Sequence, residues 1–249
     1  MSKPRLLALG DSAWTLEFGN VISPQVHALV MSLADALAHA RHQDLWAGIT
    51  DVVPSFRSLT VHFCPLRTDA DALAQHLLEM AGNTQAQPLS GRHWCLPACF
   101  DASLAPDLSL VARSKGMREA QVIEQLLGAL LRVYLIGFLP GFPYMGGLPP
   151  DLSMPRLASP RTKVPAHSIA ITGQMCAVYP WDSPGGWNLV GKTPVPLFDA
   201  RRTQQPALLA AGDTVRWVEV SKTEFDALFD QGQRGLLNPA MFLQTDSFA

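Results

Sequence analysis

The sequence predicts an α+β protein, a small N-terminal α/β sandwich followed by a domain of many short strands that reads as a barrel or sandwich. Three observations predict it. The N-terminal third alternates strand-like runs with two amphipathic stretches of helical period, the pattern of helices laid on one face of an antiparallel sheet. Farther on, proline and glycine punctuate the chain, with seven prolines in residues 139–165, and short apolar runs lie between the turns. Between these regions, residues 83–91 are polar and carry Pro88, which sets the boundary and gives domains of residues 1–88 and 89–249.

Residues 6–18 hold two apolar runs around Gly10-Asp11-Ser12, a hairpin with its turn residues in place. Ser23-Pro24 then supplies an N-cap and a proline at the first helical position. Val26, Leu29, Val30, Leu33 and Leu37 follow on one helical face. Strands are expected over residues 48–53 and over the strictly alternating residues 59–63. A second helix runs from about Asp69 to Met80 and is closed by Gly82. Past the boundary come a short helix over residues 108–115 and a longer one from Arg118 to about Leu131. The remaining strands are read at residues 168–172, 177–179, 187–190 and 214–220, the last preceded by the turn residues Gly212-Asp213.

Composition narrows the function. Nineteen basic residues against 21 acidic leave a net charge of -2, without the basic excess that a nucleic-acid partner requires. The most apolar window, residues 126–142, is cut by Arg132 and ends in proline and glycine, so it reads as core and not as a membrane span. The apolar run at residues 6–9 is too short for a secretory leader, so a cytoplasmic protein is expected. Cys64, Cys95, Cys99 and Cys176 are then expected as thiols without a disulfide. His93, Cys95 and Cys99, taken with His62 and Cys64, suggest a zinc site, but the paired C-x-x-C spacing is missing and no metal is expected.

The stretch GWNLVGKT, residues 186–193, matches the phosphate-loop pattern G-x-x-x-x-G-K-[ST] at every fixed position. That loop works by leading into a helix whose N-terminal N–H groups cradle phosphate. Here Pro194 and Pro196 follow at once, removing donors and favouring extended backbone, so a strand is expected in place of a nucleotide site.

Two rigid loops, residues 137–144 and 179–187, combine proline and glycine with aromatic side chains. They fit a ligand site and barrel-closing turns with buried aromatics equally well. Arg156 and Arg161 stand near prolines and have the fork geometry for a carboxylate or phosphate, although a solvated or structural arginine is the commoner fate.

Residues 136–144 (IGFLPGFPY), Pro160-Arg161 through Val164-Pro165-Ala166, Tyr179-Pro180, residues 183–187 (SPGGW) and residues 191–194 (GKTP) together resemble the family of the 5-oxoprolinase B subunit, also called allophanate hydrolase subunit 1 or Kip inhibitor. Leu9-Gly10-Asp11-Ser12 and residues 53–59 extend the likeness into the N-terminal region. The resemblance implies an N-terminal α+β domain and a C-terminal cyclophilin-like β-barrel. It implies one component of an enzyme that opens the 5-oxoproline lactam to glutamate at the expense of ATP. The partners would be the A and C components of 5-oxoprolinase, the latter resembling allophanate hydrolase subunit 2. ATP with magnesium would act at the level of the complex, with none bound by this chain alone. Related domains form half of the carboxyltransferase unit of urea carboxylase, and another member inhibits a sporulation histidine kinase.

For such a small-molecule substrate the chain lacks a Ser-His-Asp set, a nucleophile elbow and a metal cluster, so catalytic residues are left unassigned and its expected work is binding and orientation. Arg156 and Arg161 would take the substrate carboxylate or a phosphate. Gln174, Tyr179 and Ser183 would give neutral hydrogen bonds, Phe142, Tyr144 and Trp187 the walls, and Gly186 the turn between them. His167 is the one group beside these loops able to titrate near neutral pH. It stands where family members commonly carry glycine, as Met175-Cys176-Ala177 stands where they commonly read Thr-Gly.

Overall fold

The structure is a computed structural model that describes residues 4–40, 46–88 and 91–244. The chain divides into two compact units, residues 1–90 and 91–249. The first contains β1 (Arg5–Ala8), β2 (Ala13–Glu17), α1 (Pro24–Ala40), β3 (Ile49–Pro54), β4 (Ser58–Phe63) and α2 (Ala70–Asn83). Its strands form one antiparallel sheet in the order β1-β2-β4-β3. Alternation decides the buried face. Leu16, Leu59, Val61 and Phe63 point to one side and meet Leu33 and Leu37 of α1 and Leu73 and Leu77 of α2 in a single core. Asp69 caps α2 by accepting from the N–H groups of Asp71 and Ala72, each at 3.0 Å. The helix does not stop for Gly82. It runs on to Asn83 and ends at an extended Thr84, whose hydroxyl donates to the carbonyl of Met80 at 2.7 Å.

The second unit contains β5 (His93–Ala98), α3 (Leu108–Lys115), α4 (Glu119–Gly128), β6 (Leu131–Ile136), β7 (Pro143–Gly146), β8 (Arg161–Val164), β9 (Ser168–Thr172), β10 (Met175–Val178), β11 (Ser183–Gly185), β12 (Asn188–Lys192), β13 (Thr214–Glu219), α5 (Lys222–Gln233) and β14 (Leu243–Gln244). Eight strands make one sheet in the order β12-β9-β10-β7-β6-β13-β5-β14, and β8 and β11 form a separate ribbon. The pairing of β5 with β13 is parallel, over the full length of both strands. Among the described residues no helix is long and apolar enough to cross a membrane.

Several expectations change here. The described strands do not close into a barrel. One isolated bridge joins Cys99, just past β5, to Lys192 at the end of β12, with N–H···O distances of 2.8 and 2.9 Å. No ladder grows from it, because Pro194 and Pro196 interrupt the supply of donors beyond Lys192 and β14 holds the free edge of β5. The expected helix from Arg118 to Leu131 ends at Gly128. The apolar run after it is β6, with Leu131, Val133 and Tyr134 buried in the sheet. Residues 93–99, weighed above as a metal cluster, are β5 and its bridge. Among the described residues no group of three or more His, Cys, Asp or Glu is placed to hold a metal ion.

Candidate functional site

The sheet of the second unit is buried on both faces where β9 and β10 cross it. Ile169, Ile171, Cys176 and Val178 enter the main core, while the alternate residues Ala170 and Ala177 face a smaller cluster with Phe142, Val164, Tyr179, Trp187 and Leu189. Small residues on that face leave room for rings. Phe142, 1% exposed, sits at the centre, with Tyr179 edge-on at 5.1 Å between ring centroids, Trp187 at 6.2 Å and Tyr144 tilted at 4.9 Å. Tyr144 and Trp187 are themselves 5.9 Å apart. Such edge-to-face sets hold rings in fixed positions.

These rings wall a pocket of about 310 Å³ that also takes in Phe138, Arg156, Pro160, Pro184, Gly185 and Gly186. Its size and apolar lining suit a small organic molecule. Burial raises the pKa of both phenols, Tyr144 and Tyr179, so they are neutral hydrogen-bonding groups at physiological pH. The Tyr179 hydroxyl bonds the backbone of Trp187, which ties wall to floor. Phe138 forms part of the rim, 63% exposed, and adopts φ 68°, a left-handed conformation unusual for a bulky residue and held by the preceding and following turn. Its ring leans edge-on against Phe142 at 5.4 Å.

Arg156 supplies the positive charge. The residues on either side of it are pinned. Asn188, 1% exposed, donates to the carbonyl of Pro155 at 2.9 Å, and the N–H of Leu157 donates to the carbonyl of Gly186 at 2.7 Å. Among the described residues no carboxylate pairs with its guanidinium, which faces a pocket whose other side chains are uncharged. That combination selects an anion carried on a small apolar frame.

Arg161 does something else. Its Nη2 donates to Asp107 at 2.7 Å and its Nη1 reaches the Trp187 carbonyl at 3.5 Å, so it braces the pocket wall from behind and does not line the pocket. Gln174 is exposed in the β9–β10 turn, at the opposite end of β10 from Tyr179, and does not line the pocket either. Ser183 is buried in β11 next to the lining residue Pro184, and its Oγ has no hydrogen-bond partner among the described residues.

His167 lies outside the pocket. It occupies φ 68°, consistent with the glycine it replaces in the resembled pattern, and its ring meets Phe229 of α5 edge-on at 5.3 Å. Burial first, and then the nearby Lys192 charge, lowers its pKa from 6.5, against the pull of the Val195 and Thr193 backbone and of Asp182. A base depressed in the folded state leaves the unfolded chain holding more protons at acid pH. The stability it contributes is complete above 6.5 and is lost as pH falls toward its lowered folded value. His167→Asn, which tolerates the same backbone, is therefore expected to flatten this part of the pH dependence in urea unfolding between about pH 7.5 and about pH 5. Identical slopes for the two proteins would refute it.

The phosphate-loop look-alike is a strand. Asn188 to Lys192 pair antiparallel with β9, the Lys192 N–H is spent on Cys99 and the Thr193 N–H on the carbonyl of His167 at 3.1 Å. The sequence alone does not single out four contributors. Phe138 and Gly185 stand inside the two aromatic-proline loops, and that position is their signal. Asn188 directly follows Trp187 in sequence, and Asp107 acts from a site that only the fold brings near.

Similarity to known proteins extends into both units. A family model described as carboxyltransferase domain, subdomain C and D, matches residues 4–209. The B subunit of 5-oxoprolinase from Bacillus subtilis is 34% identical over 233 residues, 88% of this chain and 94% of that protein. Its counterpart from Haemophilus influenzae is 37% identical over 208 residues, 80% of this chain and 97% of that protein. Among solved structures, the urea carboxylase of Kluyveromyces lactis superposes with a TM-score of 0.78 at 19% identity, a likeness of fold covering 94% of this chain and 23% of that one. The chain belongs to the carboxyltransferase-domain subdomain C and D family, and within it resembles the 5-oxoprolinase B subunit over most of its length.

Proposed function

We propose that this chain is the B component of a cytoplasmic, ATP-dependent 5-oxoprolinase, acting with the A and C components of that enzyme. The observation that carries the reading is Arg156, without a carboxylate partner among the described residues, at the mouth of a small aromatic pocket. 5-Oxoproline is a five-membered lactam bearing one carboxylate. Its ring suits the faces of Tyr144 and Trp187, and its carboxylate suits the guanidinium fork. The likeness to urea carboxylase favours urea less, because a neutral ligand makes no use of an unpaired arginine. This chain binds and orients the lactam. Activation of the ring carbonyl by ATP with magnesium, and hydrolysis, belong to the complex. The eight-stranded sheet, bridged from Cys99 to Lys192, is read as an opened form of the cyclophilin-like barrel.

The test is ATP-dependent release of glutamate from 5-oxoproline by the chain co-purified with the A and C components. Arg156→Ala is expected to raise KM at least about tenfold, the worth of one charge-assisted contact, with little change in thermal stability because the residue is exposed. An unchanged KM would reject Arg156 as the carboxylate site. Absence of turnover in the assembled wild-type complex would reject the substrate.

A further inference from the structure

A larger cleft, about 530 Å³, opens elsewhere in the second unit and shares no residue with the aromatic pocket. Arg92, Arg201 and Arg202 line it together with Gln205 and Asn238, over an apolar floor that includes Leu208. Three guanidinium groups and no carboxylate face the space.

The carboxylates stand behind the arginines and aim them. Asp213, 2% exposed, accepts from Arg92 Nη2 at 2.8 Å and from Arg92 Nε at 3.3 Å. It also accepts from the Trp94 indole N–H at 3.1 Å and the Ala210 N–H at 3.0 Å. Arg92 is further fixed over the Trp94 ring at 5.0 Å. Asp199 accepts from Arg201 Nε at 2.8 Å and Nη2 at 2.9 Å, which leaves Arg202 only a 3.9 Å approach to the same carboxylate. The amides are also turned one way. The Gln205 oxygen, in the orientation that satisfies it, accepts from Arg92 Nη1 at 2.8 Å and Nη2 at 3.1 Å, so its NH2 remains as a donor. The Asn238 oxygen accepts from the Ala240 N–H at 3.1 Å, with the same consequence. Gln205 and Asn238 therefore present donors, held in place before any ligand arrives.

We propose that this cleft binds the phosphate oxygens of a phosphorylated small molecule, with Arg202 as the principal contact and Arg201, Gln205 and Asn238 around it. A weakly paired Arg202 beside the Arg201 guanidinium and two amide donors matches a multiply charged phosphate chain better than a single carboxylate, which one fork saturates. The cleft volume leaves room for an organic part beyond the phosphates. The site has no connection with GWNLVGKT, whose N–H groups are used in the sheet.

Calorimetric titration of the full chain tests it, with inorganic pyrophosphate and magnesium ATP as probes. Both are expected to bind saturably below millimolar concentration. Arg202→Gln is expected to weaken both about tenfold, the effect of one charge-assisted contact, and to leave the melting temperature unchanged because the side chain is 41% exposed and weakly paired. Lys192→Ala is expected to change neither affinity. Failure of both probes to saturate, binding of ATP without pyrophosphate, wild-type affinity in the Arg202 variant, or loss of binding in the Lys192 variant would each overturn the proposal.

Discussion

Replacing Asp107 with alanine is expected to cost about 3 kcal/mol of stability, a large effect for a residue outside the pocket. Its carboxylate, 9% exposed, accepts from Arg161 Nη2 and from the Leu189 N–H, both at 2.7 Å. Alanine would strand a largely buried guanidinium and a buried N–H at once. The cost is that of leaving both without partners, more than the worth of the pair itself. Asp107→Asn, which keeps an acceptor for Leu189 and removes the charge, is expected to lose a smaller amount. Urea unfolding measures both. A loss below about 1 kcal/mol for Asp107→Ala would show that water or a rearranged neighbour satisfies the arginine. Because Arg161 also reaches the Trp187 carbonyl, ligand affinity should fall in the alanine variant even under conditions where it remains folded.

Gly185→Ala carries the second large effect. A Cβ built there lies 2.3 Å from the Tyr179 hydroxyl oxygen and 2.7 Å from the ring carbon that bears it, closer than real contacts allow. Tyr179 has little freedom to retreat, being 2% exposed and packed edge-on against Phe142. The expected result is a destabilisation of about 1–3 kcal/mol and a pocket distorted at its floor, with ligand affinity reduced at least about tenfold. Gly186→Ala is the control, since its Cβ would meet only Pro160 at an ordinary 3.6 Å. Equal behaviour of the two variants in thermal melting and ligand titration would show that Tyr179 moves freely, contrary to the packing described.

Much of the fold is written locally in the chain. The apolar face of α1 is visible as spacing, and Leu29, Val30, Leu33 and Leu37 all enter the core. The prolines at 194 and 196 correctly argue for a strand against a phosphate loop, because the reason is covalent and needs no partner. Phe142, Tyr144, Tyr179, Trp187 and Gly186 converge on one pocket because rigid loops commit their side chains early, and Arg156 joins them from a segment pinned by Asn188 and Gly186. What could not be read depends on distance. β5 has no clean alternation and is a strand because β13 lies beside it, with Cys95 opposite Arg216. β6 looks like a continuing helix, since a short apolar run carries no period of its own. Arg161 passes for a ligand-binding arginine until Asp107, 54 positions away, claims it. α5 is announced in the sequence by the Ser221 and Glu224 capping box.

The parallel pairing of β5 and β13 also sets a timetable. β5 is complete once residue 98 leaves the ribosome, yet the strand that separates it from β6 ends at residue 219, and the strand on its other edge lies later still. Until then only the Cys99–Lys192 bridge ties β5 to the rest of the sheet, and Leu96 and Val133 have no shared strand to hold them in one core. The second unit therefore cannot be finished progressively during synthesis. Its completion waits for a pairing of high contact order, and nascent chains stopped before β13 would expose the apolar face of an incomplete sheet.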